Sequence, residues 1–302
     1  MKFAIAVHNP YSETDGGLNC IINLGKMMND MGHDARLFVA PHYNTNYENN
    51  TVCPYYIQPD EMEEDRIAVY IDCTLGNPLG AKKVVRYISY GSHWYPDYDA
   101  NEIVYYHAPF CKNNPAPKIL TPLSWPSGLE NKGFHRINEQ CHILKKGIRD
   151  PAIRAALSNP TGPPDPRSAG SIDLSGMNHS QLIEMFNTTK YFYCFDPCCF
   201  LIIMSLMCGC IVIQFPIPGC NAEEWKYTIG LQGLNGIAYG AENLPHAEAT
   251  IGLARDDCMK LKEQNQQSVI NFCRDMETGN YTTEPCYKFN DSPYSLQHIW
   301  KD

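Results

Sequence analysis

Residues 191–213 read YFYCFDPCCFLIIMSLMCGCIVI, and how this stretch is divided decides the fold. From Cys198 to Phe215 the chain is almost wholly apolar, close to the roughly 17–20 residues that cross a bilayer. Three features oppose a membrane span. Asp196 and Pro197 abut one end, Gly209 sits in the middle, and no cluster of Lys or Arg flanks either side. The same letters divide into a buried strand (191–195), a buried helix (198–208), a glycine stop and a second buried strand (210–215). Apolar strands joined through a helix belong to a parallel sheet inside an α/β domain.

The pattern continues in both directions. QCHIL (140–144) reads as a strand and PAIRAAL (151–157) as a short helix. Between 159 and 170 prolines crowd a loop, SIDL follows as a short strand, and SQLIEMF (180–186) is a helix with Asn178 or His179 near its cap. NAEEWKYTI is helical, residues 245–276 read as one or two helices, and SLQHIW near the end is a possible helix. In the first half, FAIAV (3–7) is a strand, Leu18, Ile21, Ile22, Gly25 and Met28 share one helical face, and ARLFVA (35–40) is the next strand. After a polar stretch (41–66), IAVYID (67–72) is a strand. Asn77-Pro78 then opens a helix with Leu79, Val84, Val85 and Ile88 as its stripe. EIVYYH (102–107) and KIL (118–120) are strands, and the turn-rich 122–133 is the linker. Two successive αβ series predict two Rossmann-like domains facing across a cleft: 1–135, then 136–276, with 277–302 as a tail packing back on the first.

Composition narrows the function. The chain has 302 residues and a net charge of -9, which speaks against a broad basic footprint for nucleic acid. Of its 14 cysteines, Cys20, Cys194, Cys198, Cys199, Cys208 and Cys210 lie inside apolar runs, and no Cys-x-x-Cys pair stands beside a second, so they predict packed free thiols in a reducing, cytoplasmic setting rather than a zinc ribbon or disulfide frame. The apolar run after Met1 is too short for a signal peptide.

Several short motifs sit where such sheets bind ligands, at the carboxyl ends of strands. Asp15-Gly16-Gly17 lies between the first strand and helix, where glycines admit a close ligand and helix amides favour phosphate; a plain tight turn explains the same letters. Lys145-Lys146 ends a strand of the second half, as a diphosphate site or a solvated basic turn. Asp196-Pro197 opens the apolar helix, with Asp196 as acceptor for sugar hydroxyls or as helix cap. Asp97-Tyr98-Asp99 is an Asp-x-Asp triplet that would suit a hard cation, although triplets this short arise by chance. His8 and His107 end strands and are candidate bases or buried structural histidines.

Taken in order, these segments resemble GT-B glycosyltransferases of the group-1 type, including short bacterial and large-DNA-virus members. Gly16-Gly17 with Met31-Gly32-His33-Asp34, NPLGAKKVVRYI (77–88), ILKKG (143–147), 191–213 and GIAYG (236–240) carry the resemblance. It implies a GT-B fold and a sugar transfer from a nucleotide-diphosphate sugar to a glycan, glycoprotein or other hydroxyl acceptor. The donor would lie on the second domain and the acceptor on the first, with no metal, no other cofactor and no nucleic-acid partner. Carried over by position, Gly16, Gly17, Lys145 and Lys146 face the phosphates, and Asp196, Pro197, Cys198 and Cys199 hold ribose or phosphate. Tyr239 and Gly240 line the wall. Retaining members carry two glutamates around this helix; here Asp196 and Met204 stand in those places, and Cys199 replaces the usual threonine. An inverting enzyme would need a base in the first domain, with Asp15 first and His8 and Glu13 next. The alternatives are a non-catalytic nucleotide- or glycan-binding protein and an Asp-x-Asp metal-dependent transferase.

Overall fold

The computed structural model describes residues 1–7, 15–39, 53, 55–71, 74, 76–89, 101–107, 118–144, 154–155, 170–196, 198–217 and 220–281. Among them are two five-stranded sheets, every strand pair parallel.

In the first sheet β1 (Lys2–Val7) leads through α1 (Gly16–Asp30) to β2 (Asp34–Val39). The chain then returns to the other side of β1 with β3 (Ile67–Ile71), β4 (Lys83–Ile88) and β5 (Ile103–Tyr106), in the order β2-β1-β3-β4-β5. Apolar residues on both faces explain why the runs are continuous rather than alternating: β3 and β5 are buried at every position. KIL (118–120) contributes one bridge, Tyr106 to Ile119.

The helix expected after Asn77-Pro78 is instead β4. Asn77 closes a turn: its Oδ1 accepts from Ala81 N (3.0 Å) and Tyr70 Oη (2.8 Å), and its Nδ2 donates to Ala81 O (2.8 Å). Gly80 takes φ +62° within that turn. The run KVVRYI that follows is β-branched and aromatic and buried at five of six positions, so it fits between two strands better than on a helix face.

The second sheet repeats the plan. β6 (Asn138–Ile143) is followed at the edge by β7 (Ile172–Asp173), then α2 (His179–Thr188) leads back to β8 (Thr189–Cys194) on the other side of β6. α3 (Phe200–Met207) connects to β9 (Ile211–Gln214), and α4 (Ala222–Thr228) to β10 (Ile237–Tyr239), in the order β10-β9-β8-β6-β7. Asn178 and Asn221 form reciprocal capping boxes with Gln181 and Glu224, which fixes where α2 and α4 begin. The apolar stretch that opened the sequence is thus β8, α3 and β9. Among the described residues no helix is long and apolar enough to cross a membrane.

Residues 244–278 form one helix, α5. Its first part buries Ala254, Cys258 and Leu261 in the core of the second sheet, and its last part buries Val269, Phe272, Cys273 and Met276 in the core of the first. The compact units therefore differ from a simple bisection. Among the described residues, one holds Met1–Ser124 with the chain from Lys262 to Tyr281, the other Trp125–Leu261. The boundaries expected at 135/136 and 276/277 move because Trp125 packs edge-on against Phe200 (5.7 Å between centroids) and Leu129 joins the second core, while 262–276 serve the first. Of the tail, Tyr281 packs against the first core with Lys83 over its ring; 282–302 lie outside the described residues.

Candidate functional site

Both sheets share one order: counted within each unit, the second strand is at the edge, then the first, third, fourth and fifth. In such sheets the chain leaves the first and third strands in opposite directions, and the crevice at their carboxyl ends receives the ligand. That places candidate sites beyond Val7 and Ile71 in one unit, and beyond Ile143 and Cys194 in the other.

In the first unit Asp15 is the N-cap of α1. Its Oδ1 accepts from Leu18 N at 3.0 Å. Gly16 and Gly17 are exposed, and a side-chain carbon at Gly16 would meet nothing within 4 Å. Neither glycine needs a positive φ, so open space, not backbone strain, is what they supply. His8, Glu13, Asp97 and Asp99 lie outside the described residues. His107, after β5, bonds through Nδ1 to Tyr87 Oη at 2.6 Å, and burial pushes its pKa down to about 4. It is a neutral imidazole at physiological pH.

In the second unit the described residues near this end of the sheet lie at the carboxyl ends of β8, β9 and β10 and at the start of α3. Asp196 is buried, 3% exposed, two residues past the end of β8. Cys194 donates its thiol to Asp196 O at 3.5 Å. Burial, then the neighbouring Cys199 thiol and the Asp196 carboxylate, hold Cys194 well above the ordinary thiol range, so Cys194 stays a neutral thiol. Cys199 is the N-cap of α3, and its own side chain makes no capping bond; the first amides of a helix carry its positive dipole end. Cys198 is half-buried, its thiol on Thr228 O at 3.4 Å. Lys145, Lys146 and Pro197 lie outside the described residues.

Tyr239 ends β10. Its hydroxyl donates to Cys220 O (2.6 Å) and accepts from Ile217 N (2.8 Å), and its ring lies 5.3 Å from Trp225. The hydroxyl thus ties Ile217 and Cys220 to the end of β10. Gly240 has φ +87°, and a side chain there would collide with the Glu242 carboxylate. Met204 is fully buried in the second core, where it packs rather than presents a polar group.

Two features escaped the sequence reading. Phe195 and Phe215 stack with centroids 5.5 Å apart, joined by Leu144 and Tyr193 in a small cluster apart from the main core. Gln214, the last residue of β9, is completely buried and its Oε1 has no hydrogen-bond partner. A glutamine closing the run IVIQ was the available signal.

No protein family matches the sequence, and no curated protein does. Solved structures do. A β-glucosyltransferase described as a DNA-modifying enzyme matches at 10% identity and a TM-score of 0.53, over 92% of this chain and 100% of that one. Another structure, of T4 phage β-glucosyltransferase, matches at 9% identity and 0.52, over 91% and 99%. An α-glucosyltransferase solved with UDP and a 13-mer DNA follows at 12% identity and 0.45, over 92% and 98%. The expectation that nucleic acid is excluded as a partner is corrected by these neighbours, because a DNA-modifying enzyme shares the fold. Net charge sums the whole chain, whereas a nucleic-acid contact needs only a local surface. With two parallel sheets of like order and matches that span nearly the full length of both partners, the chain has the GT-B fold.

Proposed function

We propose that the chain is a glycosyltransferase that moves a sugar from a nucleoside-diphosphate sugar to a hydroxyl acceptor. The observation that carries this reading is a buried carboxylate, Asp196, between β8 and α3, with Cys199 as an N-cap that makes no side-chain capping bond, at the switch point of a parallel sheet. Negative charge grows on the leaving diphosphate as the sugar bond breaks. The amides and dipole of α3 oppose that charge without reorganising, and Lys145 and Lys146 add cations. Asp196 accepts a hydroxyl of the donor. Backbone around Gly16 and Gly17 allows close approach. The departing group needs no bound metal in this scheme.

For an inverting reaction the acceptor proton passes to a base of the first unit, with Asp15, His8 and Glu13 as the candidates. Asp15 Oδ1 is engaged by Leu18, so its proton would be taken at Oδ2. The acceptor is a hydroxyl of a glycan, a glycoprotein or a modified nucleic-acid base. The free cysteines fit a cytoplasmic, reducing setting.

The buried Met204 favours a second reading, a nucleotide-binding protein without turnover. One experiment separates them. A saturating nucleoside diphosphate, at about 100 times its Kd, should stabilise the protein by about 2.7 kcal/mol, and the double change Lys145→Ala, Lys146→Ala should remove most of it. Donor turnover should survive EDTA. Turnover lost to EDTA and restored by manganese would give the role to Asp97 and Asp99, and binding without turnover would favour the second reading.

A further inference from the structure

The side-chain amide of Gln214 is half engaged. Its backbone carbonyl accepts from Gly240 N at 3.0 Å, and the next amide, Phe215 N, donates to Cys194 O at 2.9 Å. Its Nε2 donates to Phe215 O at 2.9 Å, which fixes the amide so that Oε1 points the other way. Oε1 is hidden from water and accepts nothing. The neighbouring donors are committed: the Cys194 thiol to Asp196 O and the Tyr239 hydroxyl to Cys220 O. Gln214 stands in register with Cys194 of β8 on one side and Tyr239 of β10 on the other, at the carboxyl edge of the sheet. Buried carbonyls without a donor are uncommon, because each loses its bond to water and gains none.

We propose that Gln214 is a donor-recognising residue, whose Oε1 accepts a hydrogen bond from an O–H or N–H group of the bound nucleotide sugar. The inference rests on the reading of the second crevice as a nucleotide-sugar site. The chemistry is specific in one respect. Ionised phosphates offer only acceptor oxygens, so Oε1 cannot pair with the diphosphate. Its partner is a hydroxyl or N–H of the nucleoside or of the transferred sugar. α3 and Gln214 thereby divide the ligand: helix amides take the anionic part, the amide carbonyl a neutral donor group.

Calorimetric titration of wild type, Gln214→Met and Gln214→Asn tests this. Wild type is first screened with the common nucleoside diphosphates, and the tightest is compared with its glucose conjugate and with pyrophosphate. Gln214→Met keeps the length and removes the acceptor; Gln214→Asn keeps the amide but withdraws it. Both should bind the nucleoside diphosphate about tenfold more weakly while pyrophosphate binding stays unchanged. A loss seen with the glucose conjugate alone would place the partner on the sugar and still support the proposal. Unchanged affinity for all three ligands overturns it. So does a parallel loss of pyrophosphate, which would mark Gln214 as a packing residue of the sheet edge. A wild type that binds no nucleoside diphosphate fails the underlying reading, and this inference with it.

Discussion

The two sheets have the same strand order but manage buried polarity differently. In the first unit, charge is buried and paired. Arg86 and Glu102, 1% and 6% exposed, meet in a two-pronged ion pair (2.7 and 2.8 Å), and Arg86 also donates to Thr74 O and Gly76 O. Arg66 is buried against Asp34 and Glu63, and Asp275 accepts from Tyr105 and Lys118. In the second unit, apolar side chains, aromatics and the thiols of Cys141, Cys194, Cys208, Cys210 and Cys258 fill the core. Helix ends differ as well: α1 is capped by the Asp15 side chain, whereas Cys199, the N-cap of α3, makes no side-chain capping bond. The same topology therefore meets one helix start with a carboxylate cap and the other with a thiol that makes no capping bond.

The largest expected effect breaks the paired charges. Arg86→Ala leaves Glu102 buried without its partner and should cost about 3–5 kcal/mol. The double change Arg86→Met, Glu102→Leu should recover most of that. Urea unfolding followed by near-ultraviolet circular dichroism measures both, and a double variant no better than Arg86→Ala would mean that the bonds to Thr74 O and Gly76 O matter more than the ion pair.

Acid should loosen the first unit through His107. The unfolded chain takes up a proton near pH 6.5, whereas burial delays protonation of the folded state to about 4. Stability is complete above pH 6.5 and declines as the pH falls toward 4, by on the order of 3 kcal/mol. His107→Gln should show a shallower decline of the urea midpoint across that window. An equally steep decline would assign the acid sensitivity to other groups.

The smallest effect concerns Asp15. As a cap, Asp15→Ala should cost about 1 kcal/mol and Asp15→Asn much less, with turnover retained. If Asp15 also takes the acceptor proton, Asp15→Asn should lower turnover by about 10²–10⁴-fold with donor affinity little changed. Thermal melts beside steady-state rates distinguish the outcomes.

How much was legible in the sequence depended on whether the signal was local. The β1–α1–β2 unit and the β8–α3–β9 run were readable because their apolar runs are bounded by Gly32, Asp196 and Gly209. The turn at Asn77 was misread because Pro opens helices and turns alike, and Tyr70, whose hydroxyl helps close that turn, comes from another strand. The unit boundary was misplaced because nothing in the letters of α5 says that Val269 and Phe272 complete the first core. Gln214 left one mark, a polar letter at the end of an apolar strand, but an unpartnered carbonyl is visible only once its neighbours' bonds are known.

The continuity of α5, about 50 Å of helix, has a consequence for the order in which the protein matures. Val269, Phe272 and Met276 belong to the core around β1 and β3, yet they are made after the whole of Trp125–Leu261. During synthesis the first 124 residues emerge without the side chains that close their interior. The later segment is the one that can finish first. The usual vectorial sequence, amino-terminal domain before carboxyl-terminal domain, is inverted, and the nascent first sheet has to be kept from association until the last turns of α5 leave the ribosome.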